Sequence, residues 1–212
     1  MKRQIGYIFV GALVLALVIT MPVPALANKG YVSPSSVELR LAMRQLWTEH
    51  VVYTRDFITS TLGGLEDSGK VAERLLKNQD DIGNAIKPIY GDAAGTKLAA
   101  LLRDHILIAA DIVSAAKVGD NAGVAKGQER WRANADEIAV FLSKANPNWK
   151  LDTLKNMLYK HLATTTNEVV SRLKKDWASD IAAYDEGYAH MMMFADMLSS
   201  GIVKQFPDKF KK

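Results

Sequence analysis

Beyond its first three dozen residues the chain places apolar side chains at intervals of three and four: Leu39, Met43, Leu46 or Trp47, then Tyr53, Phe57 and Thr61, with His50 on the same line. That spacing lays one face of an α-helix on a core. Ser35 with Glu38 three residues later reads as a capping box at its start, and Gly63-Gly64 as its end. A second helix is predicted from about Asp67 to Ile86, stopped by Pro88 and Gly91. Gly91-Asp92-Ala93-Ala94-Gly95 and Gly119-Asp120-Asn121-Ala122-Gly123 resemble each other. Each Asp can cap the free amides of a first turn, which opens a third helix over about 92–118 and a fourth over about 120–145. Asn146-Pro147 closes the fourth, and a fifth begins near Asn148 or Leu151.

Neither Gly nor Pro occurs between Asn148 and Tyr184, so a longer rhythm has to place the next boundary. His50, His105 and His161 stand 55 and 56 residues apart, each followed six residues later by Asp56, Asp111 or Asn167. Asn78-Gln79-Asp80-Asp81-Ile82 and Asn134-Ala135-Asp136-Glu137-Ile138 are again 56 apart, and a fixed period of this kind signals a repeated supersecondary unit. Asp120 lies fifteen residues past His105 and Asp176 fifteen past His161. A break near Lys175 with Asp176 as cap follows, and a sixth helix to about Gln205, before Pro207. No segment alternates with the two-residue period of a half-buried strand. The expectation is an all-α, up-and-down helical bundle of about six helices built from three helical-hairpin repeats of roughly 55 residues. Its single domain would cover 36–207, with a basic tail over 208–212.

The N-terminus sets the compartment. Lys2 and Arg3 precede an apolar run from Ile5 to Met21, then Pro22-Val23-Pro24 and the small-x-small site Ala25-Leu26-Ala27. This is the layout of a secretory signal peptide over 1–27, with a flexible lead-in over 28–35. The protein is therefore expected to be secreted or extracytoplasmic, at the cell envelope, touching membrane only if the segment stays uncleaved. Removing 1–27 lowers the formal charge from +4 to +2, a near-neutral balance that excludes nucleic acid as a partner class. With no cysteine there is no disulfide, and stability must come from a core that the 49% apolar content can supply.

Candidate chemistry lies on the apolar stripes. His50 shares a face with Trp47, Tyr53 and Phe57, His105 with Leu101, Leu102 and Ile108, and His161 with Met157, Leu158 and Thr164. Asn78 and Asn134 sit on the stripes of the second and fourth helices. Residues six apart diverge by about 120° on a helix, so Asp56 and Asp111 should face neighbours rather than their own histidines. Two readings stay open. In one, amides on adjacent helices satisfy the imidazoles and the layer fixes helix register. In the other, hairpins packed about a pseudo-threefold axis bring His50, His105 and His161 together as ligands for zinc or another first-row ion. A second metal candidate runs along the last helix, where Glu186, His190, Met193 and Met197 share a face suited to copper(I). No phosphate loop or nucleophile elbow occurs. The leading expectation is a non-enzymatic binder of a metal ion, small ligand or envelope partner. The alternative is a metal-dependent enzyme using the histidines, with Asp80 or Asp136 as base.

Leu-Trp-x-Glu-His (46–50), Ala-Asn-Ala-Asp-Glu-Ile-Ala (133–139) and Gly-Ile-Val-Lys-Gln-Phe-Pro (201–207) are similar to segments of a poorly characterised family of small, exported, all-helical proteins of spore-forming Gram-positive bacteria. The resemblance covers nearly all of the chain after residue 27. Members are often labelled acetylglutamate kinase or glycosyltransferase. Either activity would require a nucleotide- or phosphate-binding α/β domain, and no motif position here matches one.

Overall fold

The computed structural model describes residues 34–211. The expected signal segment and most of the lead-in lie outside the described residues. Six α-helices follow one another: α1 (Pro34–Gly63), α2 (Ser68–Tyr90), α3 (Asp92–Lys117), α4 (Asn121–Ala145), α5 (Leu151–Leu173) and α6 (Trp177–Gln205), then a short 3₁₀ turn over Pro207–Phe210. No strand occurs among the described residues. Each helix packs against its neighbours in the chain, and α6 closes the ring by packing on α1. Short turns force successive helices to run up and down. One core fills the axis, with Trp47, Ile82, Leu101, Ile138, Leu154 and Phe194 all buried. Among the described residues no helix is long and apolar enough to cross a membrane.

The difficult boundary falls where the long rhythm puts it. Asp176 accepts a hydrogen bond from the Ser179 backbone N–H at 3.1 Å, as Asp120 does from Gly123 at 2.9 Å. Lys175 takes a left-handed φ of 58°, the conformation a Gly would usually supply after a helix. Three local expectations need correction. Helix α1 already includes Pro34, so Ser35 lies within the first turn rather than ahead of it. Helix α2 runs through Pro88 to Tyr90, because one proline near a C-terminus removes a single backbone bond and the helix continues past it. Gly91, with φ of 86°, ends α2 and directly precedes α3, so no residue is left for Asp92 to cap from outside. Asp92 instead lies in the first turn, where its charge still suits the helix dipole.

Small residues set the closest helix approach. A Cβ on Gly83 would stand 2.5 Å from the Gly95 carbonyl, so α2 and α3 touch backbone to backbone there.

The left-handed Lys175 yields a simple expectation. Lys175→Gly removes a Cβ clash that costs about 1–2 kcal/mol. It should raise the urea midpoint with an unchanged m-value; a lowered midpoint would contradict the assigned backbone.

Candidate functional site

His50 on α1, His105 on α3 and His161 on α5 are 2%, 3% and 6% exposed. Their rings meet in the middle of the bundle. The His50 and His161 centroids are 5.5 Å apart and those of His105 and His161 are 5.8 Å apart. The even-numbered helices back this layer with one recurring contact. Asn78 Nδ2 donates to the Leu46 carbonyl and Asn134 Nδ2 to the Leu101 carbonyl, both at 3.0 Å. His190 Nε2 makes the third, to the Met157 carbonyl at 2.8 Å. Each acceptor lies four residues, one helical turn, before a layer histidine.

The ring nitrogens are not equally satisfied. Asn134 Oδ1 lies 2.8 Å from His105 Nδ1, and since the amide nitrogen is already donating, Nδ1 carries the proton and Nε2 keeps its lone pair. Gln79 Nε2 lies 3.3 Å from His50 Nδ1. Among the described residues neither ring nitrogen of His161 has a hydrogen-bond partner. Burial lowers the His50 pKa to about 3, helped by His105, and that of His105 to about 4. Burial, with repulsion from the other three imidazoles, takes His161 well below its usual value. All three rings are therefore neutral at pH 7, the protonation state that binds metal.

Two small cavities flank the layer, and all three histidines line both. One, about 30 Å³, is walled by Met43, Trp47, Trp149, Met191 and aliphatic side chains. The other, about 60 Å³, extends toward the α1–α2, α3–α4 and α5–α6 turns past Ile112, Trp131 and Val169 to Gln128 and Thr166. The Nε1–H groups of Trp47, Trp131 and Trp149 are buried without a partner among the described residues. Buried donors of this kind carry a desolvation cost unless something fills the space beside them.

Other candidates are not brought together. Asp56 and Asn167 are exposed and Asp111 pairs with Arg130 at 3.1 Å, so the acid or amide six residues on does face away from each histidine. Asp80 pairs with Arg103 at 3.0 Å and Asp136 accepts from Tyr159 and Lys155, which leaves neither on a cavity wall as a base. The set Glu186, His190, Met193 and Met197 does not converge. Glu186 pairs with Lys160, His190 is spent on the Met157 carbonyl, and Met193 is 58% exposed. The buried stripe of α6 runs one residue round from that face, so Met191, 2% exposed, is the methionine against the histidines. Among the described residues no three His, Asp or Glu side chains already surround one point as metal ligands.

One buried group was hidden from the sequence. Arg172 shares a basic stretch with Lys174 and Lys175, yet it bonds Asp180 at 2.8 Å. Asp180, 1% exposed, also holds Arg55, which reaches Glu168 at 2.8 Å. Desolvation raises the Glu168 pKa, and the Arg55 hydrogen bond opposes it. A cavity of about 10 Å³, room for about one water, is lined by both Glu168 and His161.

No protein-family model, curated protein or solved structure matches the chain.

Two stability effects follow from these groups. The unfolded chain protonates its histidines near pH 6.5, whereas the folded values lie near 4 and below. Stability should be complete above about pH 7 and fall toward pH 4, by about 1.4 kcal/mol per pH unit for each histidine. Urea midpoints at pH 7, 6 and 5 read that slope, and His105→Leu should flatten it; a flat wild-type profile would mean the layer is not neutral. Arg55→Met leaves Asp180 and Glu168 with Arg172 alone and should cost about 3 kcal/mol at pH 7.

Proposed function

We propose that this protein is an exported, non-enzymatic metal-binding bundle that takes copper(I) in its core at His50, His105 and His161. The observation that carries the reading is the meeting of three neutral imidazoles from three helices, with no hydrogen bond to the His161 ring among the described residues. The rings touch one another and have cavity space on both sides. Small rotations about their side-chain bonds would turn their nitrogens toward a common ion. The sequence expectation left zinc and copper open, and the surroundings separate them. Neither flanking cavity has a carboxylate on its wall, and a divalent ion among neutral ligands in an apolar core carries a large desolvation cost. A monovalent soft ion costs less, and Met43 and Met191 place thioethers on the same wall.

Export rests on the basic start, apolar run and Ala-x-Ala site of residues 2–27. Neither of the two flanking cavity walls carries a carboxylate to work beside the imidazoles, which favours binding over catalysis.

Anaerobic titration of the 28–212 protein with copper(I) against a chromophoric chelator should show one equivalent bound. His161→Phe should fold and lose at least about tenfold in affinity, 1.4 kcal/mol. Met193→Leu with Met197→Leu should change nothing. Folded wild-type protein that takes up no copper(I) would sink the reading.

A further inference from the structure

The seam between α4 and α5 is the loosest in the ring of chain neighbours, and it opens on a groove of about 490 Å³ lined by Gln128, Glu129, Arg132, Tyr159, Thr166 and Asn167 among others. Gln128 and Thr166 also line the 60 Å³ inner cavity, and Gln128 Nε2 donates to Thr166 Oγ1 at 3.1 Å. That hydrogen bond lies on the wall common to the outer groove and the inner cavity. Such a bond contributes only about 1 kcal/mol net.

Two exposed charges stand at the mouth, and the Arg132 charge also acts on Asp136. Glu129 and Arg132 are three residues apart on α4, close enough to pair, yet among the described residues neither forms an ion pair. Arg132 lies over Tyr159, its guanidinium carbon 3.7 Å from the ring centroid. Tyr159 is itself fixed by Asp136. A ligand complementary to this mouth carries both signs close together, amide-bonding groups and an apolar tail. Past Gln128 and Thr166 the walls are Ala109, Ile112, Val113 and Val169. The tail would end near Trp131, whose buried indole N–H has no partner among the described residues.

We infer that this seam is a second binding site, for a free apolar α-amino acid. Its carboxylate meets Arg132, its ammonium meets Glu129, and its side chain displaces the Gln128–Thr166 bond to enter the inner cavity. A free amino acid is the occupant that sets carboxylate and ammonium on one carbon beside an apolar branch. A peptide terminus offers only one of the two charges there. The inner cavity is also lined by His50, His105 and His161, so this site adjoins the proposed copper layer without requiring it to be filled.

Calorimetric titration in excess chelator, which removes any metal contribution, tests the inference on the 28–212 protein. Leucine and methionine should bind, glycine at least about tenfold more weakly. Arg132→Gln and Glu129→Gln, both exposed positions whose substitution leaves the core untouched, should each weaken leucine by about tenfold. The deaminated analogue 4-methylpentanoate should respond to Arg132→Gln and ignore Glu129→Gln. No heat with any amino acid at millimolar concentration, equal binding of glycine and leucine, or variants that bind as wild type would each overturn it.

Discussion

Polar groups buried at the centre of an apolar bundle must find partners or remain a standing cost, and the histidine layer is where this constraint acts. Asn78, Asn134 and His190 each reach across to the carbonyl one turn before a layer histidine. A slip of either helix by one residue would swing these side chains by about 100° and strand them in hydrocarbon. The contacts thus set the axial register of α1 on α2, α3 on α4 and α5 on α6. Apolar packing alone would tolerate several registers, because leucine on leucine is nearly indifferent to small shifts.

The same constraint leaves something unfinished. His105 is well satisfied by Asn134, whereas among the described residues the His161 ring, which borders two cavities, makes no hydrogen bond and three buried indole N–H groups lack acceptors. A core designed only for stability would close this space with methyl groups. The salt-bridged group of Arg55, Glu168, Arg172 and Asp180 ties α1, α5 and α6 together on the turn side of the layer. With it in place, space beside the histidines can stay open without loosening the helices that carry them.

The sequence by itself determined the class of fold and most of its boundaries, since helical periodicity, caps and glycines are local. Asp120 and Asp176 cap as their spacing implies, and Lys175 breaks the chain even without a glycine. That the histidines, Asn78 and Asn134 face inward was also legible, because a residue's face follows from its neighbours three and four away. The tertiary structure alone decided what those residues touch. Arg172 and Asp180 look like surface charges until α1 delivers Arg55 from more than a hundred residues away. Met191 and Met193 differ by two positions, and only the packing of α6 chooses which of them reaches the core. Whether three imidazoles meet or stand apart depends on how α1, α3 and α5 are arranged about an axis. That arrangement is a property of long-range packing, and a periodicity of three and four residues carries no information about it.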